Sequence, residues 1–325
     1  MLPIPESLEP MEAKPVPKLP VGEGWRYEPK WDGYRCLAFR DGKDVTLKSK
    51  RGKDLSRYFP ELVAGLATLK PGKFVLDGEI LVVHDGAPDF DSLQLRIHPA
   101  ETRIAKLSAE IPATLMAFDL LADAKGKDLR GLAFDDRRQA LEAFAAGAKS
   151  DSLLLSPVTS EIETAKEWLD LIGNGIDGVI AKRGAEHYQS GKRAMLKFKL
   201  WKSIDAVVGG IYEDEAGRVE HLVLGLYDDA GKLNYIGRCR SPESEAEIRK
   251  KLKPLIGGEG FTGHKPQPVT RWSGKRHTAI MLKHRLVLEA SADHVAGGRM
   301  RHGSRFMRWR PDKKPSQCKM EQVER

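Results

Sequence analysis

Lys30 stands in the stretch Tyr27-Glu-Pro-Lys-Trp-Asp-Gly-Tyr-Arg-Cys36, with an acid two residues away on each side, Glu28 and Asp32. Two further pairs share this spacing: Asp77 with Glu79, and Lys197 with Lys199. On a strand, residues two apart project from one face. Asp77 and Glu79 interrupt an otherwise apolar run, Phe74 to Val83, and burying such groups is costly unless they are paired or bind a metal. Taken singly, each pair reads better as solvated edge charge. Gathered in one cleft, they would offer lysines for phosphate oxygens and carboxylates for Mg²⁺. That is the equipment for transferring a nucleotidyl group to an amine.

Other chemistries find no support. Residues 173 to 178, Gly-Asn-Gly-Ile-Asp-Gly, match a dinucleotide fingerprint by letter, but they follow a helical pattern and lead into a strand, the reverse of what the fingerprint needs. A helix end and turn is the better reading. There is no P-loop, no Gly-x-Ser-x-Gly, and no metal-binding spacing among the nine histidines. Three widely spaced cysteines (Cys36, Cys239, Cys318) point to a reducing compartment and away from structural zinc. No run of eighteen apolar residues suggests a membrane span, and the proline-rich start lacks the apolar core of a secretory signal.

The elements that must position these residues can be read in order. Residues 1 to 24 suggest an extended lead-in whose prolines oppose regular pairing. Residues 33 to 49 alternate around an Asp-Gly, a hairpin signal. A helix is expected over 54 to 69, a strand from 73 to a second Asp-Gly turn, a strand over 113 to 122 and a helix over 135 to 148. A short strand near 152 to 158, a capped helix over 159 to 173, and strands 177 to 183 and 194 to 201 follow. This is α+β with a mostly antiparallel sheet. Beyond residue 203, three strands, a helix (241 to 256), a basic connector rich in Gly and Pro, and two strands are in the order of a small Greek-key barrel of the oligonucleotide-binding type. At 325 residues, two domains are expected, divided here as 1–202 and 203–325.

The motifs occur in a recognisable series. Glu28-Pro-Lys30-Trp-Asp32-Gly33-Tyr-Arg35 resembles motif I of the covalent nucleotidyltransferases, the superfamily of ATP-dependent DNA ligases, RNA ligases and mRNA capping enzymes. Ser49-Lys-Arg51-Gly52 resembles motif Ia, Leu76 to Ile80 motif III, Phe118-Asp119-Leu-Leu motif IIIa, Asp177 to Lys182 motif IV, Leu196 to Lys199 motif V and Arg310 to Lys313 motif VI. Within the superfamily, the flanks of motifs V and VI are similar to those of compact bacterial ATP-dependent DNA ligases of the C type. One departure is Asp177, where the motif usually has Glu.

The resemblance implies a nucleotidyltransferase domain, with ATP-grasp-like antiparallel sheets and helices, followed by an OB-fold barrel. It implies an ATP-dependent DNA ligase that seals 3′-OH/5′-phosphate nicks in duplex DNA through lysyl-AMP and DNA-adenylate intermediates, with DNA repair the expected setting; RNA ligation or capping is the alternative. Lys30 would be the nucleophile, assisted by Lys197 and Lys199 at the α-phosphate. A lysine amine is protonated at neutral pH, and nearby cations and a metal favour its neutral form. Glu28 would accept from the adenine amino group, Phe118 would stack on the base, and Glu79 would face the ribose or the metal. Asp32 would support the metal or the nick hydroxyl. Arg35 and Arg51 would hold ribose and later the nick's 5′-phosphate, and Arg310 and Lys313 would clamp pyrophosphate. Mg²⁺ (or Mn²⁺) would sit on Glu79 and Asp177.

Charge taken alone fits a polyanion-binding segment and a basic face that keeps the protein soluble about equally well. From His264 to Arg325 there are fifteen Lys/Arg against five Asp/Glu, so the rest of a chain of net charge +8 is slightly acidic. A basic C-terminal segment fits DNA, with Arg271, Lys275 and Arg276 the expected contacts. The resemblance implies a ligase without the helical DNA-binding domain that larger ligases place in front. A cytoplasmic monomer that joins the nucleoid when on DNA is expected.

Overall fold

The computed structural model describes residues 1–323 except 85, 149, 173–174, 201, 267–277, 293–294, 297 and 301–303, and does not describe the side chains of 202, 295 and 296. Arg271, Lys275 and Arg276, and the first two residues of the 173–178 turn, therefore lie outside the described residues. Two compact units emerge, Met1–Lys199 and Leu200–Arg325.

The first unit holds two sheets. One has four strands in the order β1 (Ala13–Pro15), β10 (Met195–Phe198), β9 (Ile176–Arg183), β2 (Trp25–Trp31). The other runs β4 (Asp44–Ser49), β3 (Tyr34–Asp41), β5 (Lys73–His84), β7 (Ala113–Ala122), β8 (Leu153–Leu155), with the short β6 (Ala87–Pro88) on β5. Pairing is antiparallel except β1 with β10 and β7 with β8. Every residue of β7 is buried, which explains its unbroken apolar sequence: a central strand covered on both faces has no position to give to water. One face packs with α1 (Pro60–Ala67) and α4 (Phe134–Gly147) through Leu62, Leu66, Leu141 and Phe144. On the other, Leu121 and Ala122 join Leu37, Phe39 and Val75. The unit is completed by α2 (Phe90–Leu95), α3 (Glu101–Glu110) and α5 (Ile162–Asp170).

Three expectations need correction. The lead-in is not unpaired: Ala13–Pro15 forms a parallel edge strand on Met195–Lys197, and Ile4 and Met11 are buried in the core. Proline is tolerated there because an edge strand needs hydrogen bonds on one side only. The helix expected from residue 54 begins at Pro60, after a 3₁₀ turn at Ser56–Tyr58, in keeping with proline's fixed φ at a first helical turn. No side chain caps α5; its N-cap is Glu161.

In the second unit β11 (Lys202–Glu213), β12 (Val219–Tyr227), β13 (Leu233–Arg240), β15 (Val287–Ala292) and β18 (Ser304–Trp309) close a five-stranded barrel in the order β11-β12-β13-β18-β15 and back to β11. The last strand runs parallel to β13 and antiparallel to β15, as in an OB-fold. Short pairs involve β14 (Ile280–Met281) on β11, and β16 (Val295–Ala296) with β17 (Arg299–Met300). Between β13 and β15 lies α6 (Glu245–Leu252), started by a capping box of Ser244 and Glu247. Ile204, Val207, Leu224, Ile236, Leu288 and Phe261 belong to its core.

Candidate active site

Lys30 lies where β2 and β9 fall out of register. Pro29 pairs with Val179 and Trp31 with Ile176, so Asp177 and Gly178 together face Lys30. Such a bulge re-aims side chains, and glycine is required in it: Gly178 has φ +143°, and a Cβ there would lie 2.2 Å from the Phe198 carbonyl oxygen. Lys30 Nζ donates to Asp177 Oδ2 at 2.6 Å, and Lys199 Nζ lies 2.8 Å from the same oxygen. Burial pushes the Asp177 carboxyl up, but Lys30 and Lys199 outweigh it and hold the group below its ordinary value. Asp177 Oδ1 is buried without a hydrogen-bond partner among the described residues.

A second bulge presents Phe118. Asp77 pairs with Asp119 and Gly78 with Ala117, leaving Phe118 without a counterpart on β5. The Arg35 guanidinium lies 4.5 Å from the Phe118 ring centroid. Arg35 also grips buried Asp77 with two hydrogen bonds, Nε to Oδ1 at 2.6 Å and Nη2 to Oδ2 at 2.7 Å. Tyr188 donates to Asp77 as well. Asp77 and Glu79 thus divide their work: Asp77 anchors Arg35, while Glu79 lines a cavity with Lys30. Burial pushes the Glu79 carboxyl up to about 7, against the pull of Lys30 and Arg35.

That cavity, about 230 Å³, draws on both sheets: Glu28 and Lys30 of β2, Arg35 of β3, Glu79 of β5, Phe118 of β7, Ile180 and Lys182 of β9, Met195 and Lys197 of β10, with Lys50 and the segment Pro10–Ala13. Burial, then Lys30 and Lys199, lowers the Lys197 pKa. Gly33 lets β3 start close to β5, since a Cβ there would meet the Ile80 carbonyl oxygen at 2.3 Å. Asp32 is buried, its N–H donates to the Gly175 carbonyl at 3.0 Å, and its charge adds to the upward push on Glu79.

Not every expected residue joins them. Arg51 lines a neighbouring depression with Glu6, Glu9, Lys48 and Arg193, and Lys50 is the motif Ia side chain that reaches the cavity. Arg310 and Lys313 belong to the second unit, where both pair with Asp205. Lys182 closes the motif IV match but was given no role: its nearest partner by i, i+2 spacing is the apolar Ile180, so no pair of charges marked it. The available signal was a lysine inside a strand that is otherwise buried.

The donors suit a hard divalent cation. Glu79 and Asp177 both act on Lys30, and Asp177 keeps one buried oxygen unpartnered. Among the described residues no cluster of three or more protein metal donors occurs; Mg²⁺ ordinarily needs one or two carboxylates plus substrate phosphates.

A lysine-centred cavity between two sheets, in a chain that continues into an OB-fold, defines a nucleotidyltransferase. Family models agree and go further. The ATP dependent DNA ligase domain matches residues 10–199, and the ATP dependent DNA ligase C terminal region matches residues 215–313. The chain belongs to the ATP-dependent DNA ligase family, as the ordered motifs imply, and the RNA-ligase and capping alternatives are not favoured. It is 38% identical to DNA ligase C of Mycobacterium tuberculosis over 100% of this chain and 96% of that protein. It is 40% identical to DNA ligase C1 of Mycolicibacterium smegmatis, covering 99% and 95%. A solved structure of mycobacterial DNA ligase D complexed with ATP and MES matches with TM-score 0.53 and 30% identity, covering 96% of this chain and 98% of that one. No described helix is long and apolar enough to cross a membrane.

Proposed function

We propose that the cavity of the first unit binds ATP and that Lys30 becomes adenylated there, charging the protein to seal nicked duplex DNA. The observation that carries this reading is Lys30 itself, held at a bulge by one oxygen of a buried carboxylate in a cavity that also contains Phe118, Glu28 and Lys197. Lys30 Nζ attacks the α-phosphorus, the bond to the leaving pyrophosphate breaks, and a phosphoramidate to AMP forms. The amine proton must leave first, and Asp177 Oδ2 is the acceptor in contact with it. Lys197 and Lys199 offset charge on the α-phosphate. Phe118 stacks on the base and Glu28 accepts from its amino group.

Glu79 and the unpartnered Asp177 Oδ1 are the groups that would hold Mg²⁺, which supplies charge neutralisation at the phosphates. Arg35, fixed by Asp77, holds the ribose and later the 5′-phosphate of the nick. Transfer of AMP to that phosphate, then attack by the 3′-hydroxyl with release of AMP, completes sealing. Arg310 and Lys313 serve pyrophosphate release during charging. The relatives named for non-homologous end joining DNA repair support a repair setting.

The test is a nicked duplex incubated with ATP and Mg²⁺, comparing the protein with Lys30→Ala. Sealing and covalent labelling from α-labelled ATP should both fall below detection in the variant while its melting temperature is kept. Retained labelling would refute the role of Lys30.

A further inference from the structure

Lys182 is almost fully buried, with 4% of its side chain exposed, and it faces Glu28, which is 3% exposed. Its Nζ lies 2.6 Å from Glu28 Oε2, 4.5 Å from the Phe134 ring centroid and 5.0 Å from that of Phe118. A buried ammonium is tolerated only when paired, and a buried carboxylate likewise. The neighbouring charges are committed elsewhere: Asp119 to Arg137 in a two-bond pair, Arg138 to Glu142 and the Ser156 carbonyl. Among the described residues Lys182 is the direct counter-charge of Glu28: burial pushes the Glu28 carboxyl up, and Lys182, then Arg138, pull against it.

The consequence falls on the other Glu28 oxygen. Oε1 is buried, has no hydrogen-bond partner among the described residues, and belongs to a side chain lining the cavity. An ionised carboxylate can only accept hydrogen bonds, whereas a protonated one could also donate. A buried acceptor without a donor is costly. A purine with a 6-amino group supplies that donor; a 6-oxo purine places an acceptor against it.

We propose that Lys182 is the positioning residue for base selection: with its charge 2.6 Å from Oε2 it draws that end of the carboxyl group and leaves Oε1 facing the cavity as the acceptor that admits a 6-amino purine and rejects a 6-oxo one. This rests on the cavity being the ATP site. Lys182 acts through Glu28 and touches no reacting atom. Sites built to hydrogen-bond a group discriminate strongly against analogues lacking it, because their own polar atoms are left unpaired.

The experiment measures initial rates of self-labelling with ATP, GTP and purine riboside triphosphate, which lacks the 6-amino group. The wild-type protein should favour ATP over each by at least about tenfold. In Lys182→Met the preference over purine riboside triphosphate should shrink to within about threefold. The loss should appear in KM for ATP rather than in the rate at saturation, and Lys182→Arg should restore most of the preference. An unchanged preference in Lys182→Met overturns the proposal, as does a wild-type protein indifferent to the 6-amino group. Should Lys182→Met not fold, Glu28→Gln decides: its amide can turn an N–H toward a 6-oxo group, so the ATP-over-GTP ratio should narrow, and an unaltered ratio overturns the proposal. A wild-type protein that takes no label from any triphosphate would instead refute the ATP-site reading on which the inference stands.

Discussion

Two aspartates in this chain do the same job in different surroundings. Asp177 in the first unit holds Lys30 and Lys199 with one carboxylate; Asp205 in the second holds Arg310 and Lys313. The Asp177 side chain is 3% exposed and stands at a strand bulge, whereas Asp205 is 12% exposed and sits in regular antiparallel pairing with Glu289. Around Asp205 the charges are redundant: Arg310 also pairs with Asp312, and Arg308 with Glu289. Pairs with an exposed member, Asp312 on Arg310 and Arg308 on Glu289, are weak and exchangeable, while breaking a buried pair strands a charge in a poor solvent. On the proposed function, the first arrangement would fix the nucleophile in place and the second would keep its cations available for release.

The largest effect is therefore expected at Asp177. Asp177→Asn should destabilise the protein by about 3–5 kcal/mol at pH 7 and slow charging severely. Its folded pKa lies below the ordinary carboxylate value, so its contribution is fully present above the unfolded pKa of about 3.9 and is lost as pH falls through the folded one. Urea unfolding of wild type and variant should differ widely at pH 7, and the difference should shrink as pH falls below the unfolded carboxyl value. Equal midpoints at pH 7 would show that the two aspartates do not differ as claimed.

Next in size is the pair held by Asp205. Arg310→Ala with Lys313→Ala should slow self-adenylation by about 10- to 100-fold and still seal a nick that already carries AMP. Asp205→Asn should move the melting temperature by no more than about 2 °C. Fast charging with blocked sealing in the double variant would remove the pyrophosphate role and with it the functional side of the comparison.

The smallest effect concerns DNA. Reversing the charges of Arg271, Lys275 and Arg276 should leave self-adenylation intact and flatten the salt dependence of nicked-duplex binding, by about 0.9 in the log–log slope for each phosphate that is no longer neutralised. A wild-type slope in the variant would mean that these cations merely keep the connector solvated.

How far the sequence exposed all this depended on whether local chemistry carried the signal. The Tyr34–Ser49 hairpin was legible from its alternation and turn, with Asp41 pairing Asp44 across Gly42 and Lys43. The barrel strands were legible for the same reason. The i, i+2 pairs identified Lys30, Glu79 and Lys197 as candidates, and all three line one cavity. The helices α2 and α3 were missed because residues 90 to 110 carry only two fully buried helical positions, Leu93 and Ile104. The edge pairing of Ala13–Pro15 is a non-local contact that prolines disguise. The bulges that turn Phe118 inward and set Asp177 opposite Lys30 arise from register between distant strands, which no local pattern encodes. For the same reason Asp205 was read only as a strand residue, although it gathers two residues more than a hundred positions away.

The proposed function rests on one covalent bond, from Lys30 to AMP, and that bond would be read directly. The protein, incubated with ATP and Mg²⁺ and freed of nucleotide, would be digested and its peptides weighed. A single added AMP mass is expected, confined to the peptide containing Lys30, and removed on addition of pyrophosphate or of nicked DNA. An adduct on Lys182, Lys197 or Lys199 instead, or none at all, would contradict the placement of the nucleophile at the bulge between β2 and β9.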